Sequence, residues 1–196
     1  MNNVTVSRSL FAAAAAFLAA ACSDPSLATA PVANSALSQH TASAVTTRGK
    51  STAVSVLTRT KAIDDVTVSA TIGSAGGSII VPSAGFTLTV LPNAVMVNTT
   101  FSVHALAGTA VAYEFEPHGT VFSVKPIFEQ DLSKTNMKNI SFALLEGAYF
   151  ASSAQVDGSS NTASVDQFFS TGFAVDGTLY FSLPHFSGYL VSSGRK

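Results

Sequence analysis

Beyond residue 65, apolar and polar side chains alternate in short runs, and Gly, Pro, Asn and Asp separate the runs. In FTLTV, Phe86, Leu88 and Val90 alternate with Thr87 and Thr89. In TLYFSL, Leu179, Phe181 and Leu183 do the same. A period of two gathers each apolar set on one face of a β-strand. Comparable runs are VTVSATI, GSIIV, TFSVHAL, AVAYEFE, IFEQDL, ISFALL, GAYFASSAQV, TASVDQFF and FSGYLV. No window carries apolar residues at helical spacing. Short strands at close intervals predict an all-β domain over residues 66–196, built as a sandwich or a barrel. Asp157-Gly158 and Asp176-Gly177 lie between strand-like runs and predict hairpin turns, because Gly tolerates positive φ and Asp bonds its own backbone.

The first 65 residues have a different pattern. Arg8 is followed by an unbroken apolar run from Leu10 to Ala21, and then by Cys22. Twelve residues are too few to cross a hydrocarbon core of ~30 Å, which takes ~20 in a helix. The run has the length of a signal-peptide core, so residues 1–21 are expected to be a signal peptide. Cys22 is the single cysteine of the chain and has no internal disulfide partner. The pentapeptide LAAAC resembles the lipobox of bacterial lipoproteins, with Leu18 four residues ahead of the cysteine. That resemblance implies lipidation of Cys22, which would become the mature N-terminus and attach the chain to the membrane. Ser23, rather than Asp, follows it, which by the same resemblance implies sorting to the outer membrane.

Residues 22–65 are rich in Ser, Thr and Ala and hold neither a 3.6 nor a 2.0 period. Such a segment buries too little surface to offset its chain entropy, so it is expected to be a flexible linker. Within it, TAVSVLT at 52–58 alternates weakly, as an added edge strand would. His40 lies in the same segment with no metal-ligand neighbour.

Composition narrows the function. Charged residues make up 11% of the 196 residues and the net charge is -1, with no cluster of Lys and Arg, so nucleic acid is excluded as a partner. Ser, Thr, Ala and Gly in place of charge suit an exported β-protein. Fourteen Phe and no Trp suit a core of rings without buried N–H groups to satisfy.

Three blocks then resemble a known module in its own order. The stretch IGSAGGSIIVPSAGFTLTVLPNAV places Ile72, Gly73, Gly76 and Gly77, then Leu88, Val90, Pro92 and Ala94, as the opening of the ZU-five (zonula-occludens/Unc-five) domain does. YEFEPHGTVF resembles its central segment through Pro117, Gly119 and Phe122, and HFSGYLV resembles its closing strand. Together the blocks span 66–193, although 132–175 matches nothing in that pattern. The resemblance implies an antiparallel β-sandwich and protein–protein association.

Catalytic inventory is short. His104, His118 and His185 are scattered and the only thiol is at the lipid site, so no metal or cofactor is expected. His104 is expected to point outward from its strand, and His118 to be solvated in a turn. Glu114 and Glu116 flank Phe115, which reads as one wet and one buried strand face rather than a paired-carboxylate site. GSAGGS is followed by a strand-like run and by no Lys-Ser/Thr pair, so its glycines serve a turn. His185-Phe186-Ser187 is the remaining candidate. On a regular strand His185 and Ser187 would point the same way, within bonding reach. Some ZU-five relatives cleave their own backbone at a Phe-Ser step in this motif. By that resemblance Ser187 would be the nucleophile, His185 the assisting base and Phe186-Ser187 the broken bond, given a strained peptide. Many relatives with a similar final strand are structural, and a cut here would release only residues 187–196. The expected protein is therefore a non-enzymatic, lipid-anchored envelope protein that displays a sandwich to a protein partner, with self-processing as the competing reading.

Overall fold

The structure is a computed structural model and describes residues 51–137 and 140–196. In chain order its strands are β1 (Thr52–Val56), β2 (Thr58–Ile63), β3 (Val66–Ile72), β4 (Gly77–Val81), β5 (Phe86–Val90), β6 (Thr99–Ala105), β7 (Gly108–Ala110) and β8 (Ala112–Glu116). There follow β9 (Ile127–Asp131), β10 (Glu146–Phe150), β11 (Val156–Asp157), β12 (Thr162–Val165), β13 (Gln167–Phe169), β14 (Gly172–Phe173), β15 (Thr178–Ser182) and β16 (Gly188–Arg195). All pairings are antiparallel, and the fold is an all-β sandwich.

One sheet runs β11-β12-β1-β16-β8-β6-β3, with β10 paired to β16 and β13 to β10. The other runs β14-β15-β9-β5-β4, and β2 and β7 form a small ribbon. Alternation works as the sequence predicts. Phe86, Leu88 and Val90 of β5 face Phe101 and Val103 of β6 and Tyr113 and Phe115 of β8 in the main core. Phe86 stacks on Tyr113 with ring centroids 4.2 Å apart, and Phe128 on Phe181 at 4.3 Å. Each fully buried ring contributes roughly 1.5–3 kcal/mol of transfer free energy.

A second core lies on the opposite face of β8 and β16. It gathers Val54, Val56, Ala112, Phe150, Val165 and Leu190. Gly188 to Ser192 are consequently buried on both faces, which explains the unbroken apolar run in YLV. With β10 along one side of β16, the other side is shared between β8 and β1. The exchange happens at Val191: its amide donates to the Val111 carbonyl at 3.1 Å, and its carbonyl accepts from Leu57 N–H at 2.8 Å.

Three expectations are corrected. The linker was expected to run to Asp65, but residues 52–63 are β1 and β2, so the sandwich starts well before residue 66. Nor is β1 an edge strand, since β12 and β16 flank it on both sides. Its few small apolar residues suffice because Val54 and Val56 are packed by strands more than 100 residues away. The run ISFALL is also not a strand. Phe142–Leu144 form a 3-10 turn capped by the Ser141 hydroxyl, which accepts the Ala143 N–H. The expected signal peptide, Cys22, His40 and the linker up to residue 50 lie outside the described residues.

Gly177 takes φ +87° in its hairpin as expected, whereas between β11 and β12 the left-handed residue is Asn161, at φ +50°, and not Gly158. Gly76, between β3 and β4, has φ +76°, and a Cβ there would lie 2.5 Å from the Val90 carbonyl oxygen. Asp176 accepts the Thr178 amide in the β14–β15 hairpin, and Asp157 opens the turn between β11 and β12.

Candidate functional site

His185, Phe186 and Ser187 precede β16 rather than lying on it. The cause is spacing: Leu183 and Phe186 are both fully buried, and a three-residue interval cannot be met by a period-two strand. The chain bends there so that Phe186 enters the core against Phe122, Phe101 and Phe115, at 4.7, 5.1 and 5.4 Å.

The bend is clasped by the segment after β8. Pro117, in a cis peptide, Gly119 and Thr120 bring the backbone of 119–121 alongside 185–187. The Phe186 amide donates to the Thr120 carbonyl at 3.0 Å, and the Phe186 carbonyl accepts from Gly119 N–H at 2.8 Å. The Ser187 carbonyl accepts the Phe115 amide at 2.9 Å. Gly119 has φ +74° in open space, a conformation that glycine adopts without strain.

His185 does not meet Ser187. Its Nδ1 lies 3.4 Å from the Phe186 carbonyl oxygen and 3.5 Å from the Tyr189 hydroxyl. The Tyr189 O–H donates to the His185 carbonyl at 2.8 Å, and burial raises the Tyr189 pKa, so the phenol remains a donor. Tyr149 completes the setting, edge-on to the His185 ring at 5.3 Å. Among the described residues no hydrogen bond joins His185 to Ser187, so the expected base–nucleophile contact is absent. The reason is the same bend, which directs the imidazole toward β10 and β16. The pairing of Tyr149 with Tyr189 across β10 and β16 was missed, since forty residues separate them and only the strand register brings them opposite.

The other candidate residues line one outer face. His104 points outward, with Nδ1 3.4 Å from Glu114 and Nε2 3.3 Å from Asp65. His118 is exposed and lies 3.2 Å from Glu116. Phe115 is buried between the two glutamates, as expected. Among the described residues no group of three or more His, Cys, Asp or Glu side chains has metal-holding geometry.

Two features had no sequence signal. Gln130, fully buried on β9, donates from Nε2 to the carbonyls of Ala84 and Gly85 and accepts from the Tyr113 hydroxyl at 2.7 Å. Arg59 of β2 is buried; its Nη1 donates to the carbonyls of Leu106, at 3.3 Å, and of Ala110. Burial raises the Tyr113 pKa to about 12, while the Arg59 charge pulls it down. On the outer face of the five-stranded sheet a shallow groove of about 460 Å³ is lined by Ile80, Thr87, Glu129, Asp131 and Lys134. Elsewhere Phe142 and Phe173 are exposed and pack edge to face at 5.0 Å.

No protein-family model matches the chain, and a search of curated proteins finds no match.

Proposed function

We propose that this chain is a non-enzymatic, lipid-anchored cell-envelope protein whose ZU-five-like sandwich serves as a binding or supporting module. The observation that carries the reading is the use made of His185-Phe186-Ser187. Phe186 is core, the backbone of the tripeptide is clasped by 115–120, and His185 is turned away from Ser187. A segment spent on closing the sandwich is structural first. Recognition then falls to the surface, where the exposed Phe142, Leu144 and Phe173 supply apolar contact to a protein partner. Lipidation of Cys22 holds the module at a membrane, by resemblance the outer one, and no cofactor takes part.

Intact mass of the purified chain tests the non-enzymatic part: one species, undivided between Phe186 and Ser187, is expected. Cys22→Ala tests the anchor, since the chain is expected to leave the membrane fraction. A variant that stays membrane-bound refutes lipidation.

One observation favours self-processing as a second reading. The Phe186 carbonyl oxygen, which would carry negative charge during attack by Ser187 Oγ, already faces Gly119 N–H and His185 Nδ1. In that reaction the Phe186–Ser187 C–N bond breaks to an ester and a free Ser187 amine. Water then opens the ester to a Phe186 carboxylate and the Ser187 hydroxyl. Two fragments from the unaltered chain, joined into one by Ser187→Ala, would establish it.

A further inference from the structure

The two long sides of the sandwich are finished differently. At one side the sheets end in β11 and β14, of two residues each, and in β13, of three. Edge strands that short offer little backbone for another chain to pair with. At the other side the sheets end in β3 and β4, consecutive strands joined through Gly73–Gly76.

β3 has none of the usual protection of an edge. Its seven residues, VTVSATI, include no charge and no proline, and its pairing with β6 is regular from Val66 to Ile72 without a bulge. Among the described residues no backbone hydrogen bond reaches its other side. Val66, Val68 and Ala70 pack on the main core yet remain half-buried, and Thr67, Ser69 and Thr71 are exposed. Apolar groups left half-covered along an unpaired ladder are what an added strand would bury.

We propose that the free side of β3 pairs with β3 of a second copy of this chain, antiparallel and centred on Ser69. That register sets Thr67 opposite the partner's Thr71, Val68 opposite the partner's Ala70, and Val66 opposite the partner's Ile72. Hydroxyls meet hydroxyls on the outer face, continuing the Ser69–Ser102 and Thr71–Thr100 pairs that β3 already makes with β6 at 2.7 and 2.9 Å. Val, Ala and Ile meet on the inner face. The only adjoining charges, Asp64 and Asp65, fall opposite the partner's Ser74 and Gly73, so no like charges meet. The same match would not be supplied by an arbitrary strand. The pairing is independent of the lipid anchor and of any cleavage at Phe186.

Directly opposed residues of antiparallel strands have Cα atoms ~4.5–5.5 Å apart, within disulfide reach. The full chain carrying Ser69→Cys, oxidised mildly in intact expressing cells, is therefore expected to give a disulfide-linked dimer. The unaltered chain, whose only thiol is Cys22, and Ser182→Cys, exposed on β15, are expected to stay monomeric under the same treatment. Adding Thr67→Lys and Thr71→Lys, which oppose like charges without touching the core, is expected to lower the Ser69→Cys dimer at least tenfold at equal chain level. The unaltered full chain in mild detergent is expected to sediment at twice the mass of the Thr67→Lys/Thr71→Lys chain. A Ser69→Cys chain that stays monomeric overturns the proposal, including where residues 23–50 or another protein cover β3. A dimer that the lysines leave unchanged overturns it as well.

Discussion

The Arg59 guanidinium lies 5.2 Å over the ring of Tyr113, and among the described residues no carboxylate pairs with it. Its charge is met by the aromatic face and by carbonyls of the loop and strand at 106–110. Arg59→Ala leaves those carbonyls without a donor in the interior and is expected to cost about 3 kcal/mol. Arg59→Lys should recover only part of that, because an ammonium lacks the planar guanidinium that lies over the Tyr113 ring. Urea unfolding midpoints of the three chains measure the difference.

Tyr113 makes stability fall in alkali. Its pKa is raised from 10.0 to about 12 by burial, partly offset by Arg59. Below pH 10 both states are protonated and the contribution is complete. Between pH 10 and 12 the unfolded chain ionises first, so about 2–3 kcal/mol is lost across that window. Tyr189, raised in the same direction, adds to the slope. Tyr113→Phe is expected to flatten the stability curve above pH 10, although at neutral pH it costs about 1–3 kcal/mol by stranding the Gln130 oxygen. Denaturation at stepped pH reads both effects.

Gly76 and Gly119 share a left-handed backbone but differ in surroundings. Gly119→Ala meets open space, so it should cost about 1–2 kcal/mol through backbone conformation alone. Gly76→Ala brings a Cβ against the Val90 carbonyl and must also move backbone, so its cost is expected to be clearly larger. Equal melting temperatures for the two variants would contradict this ordering.

Phe186→Ala opens a cavity among the rings of Phe101, Phe115 and Phe122 and is expected to cost about 3–5 kcal/mol. Ser187→Ala, next to it, should change stability by less than about 1 kcal/mol, since its side chain forms no hydrogen bond among the described residues. Chemical denaturation of the two variants separates a packing residue from its neighbour.

The strands that could be read from sequence are those whose burial follows a local rule. Phe86, Leu88 and Val90, or Leu179 and Phe181, announce a face by alternation alone, and the Asp176-Gly177 turn announces itself by backbone chemistry. What escaped reading depends on partners far along the chain. Arg59 looks like solvent-exposed linker until the carbonyls 47 and 51 residues on are placed around it. Gln130 looks like a wet position until Tyr113, Ala84 and Gly85 reach it. At the closing tripeptide a strand was expected, and the competing demand of Phe186 for the core bent the chain. The imidazole went to two tyrosines that local spacing does not connect.

The exchange at Val191 has a consequence for the order of assembly. β16 takes its neighbours from β1, β8 and β10, so the strand that comes last in the order of this sandwich is a middle rung of the larger sheet. A nascent polypeptide that has reached only residue 187 lacks the strand between β1, β8 and β10, and contacts spanning some 140 positions form late and slowly. Until residues 188–195 emerge, the larger sheet lacks the strand that joins β1, β8 and β10, and it closes only when β16 is inserted.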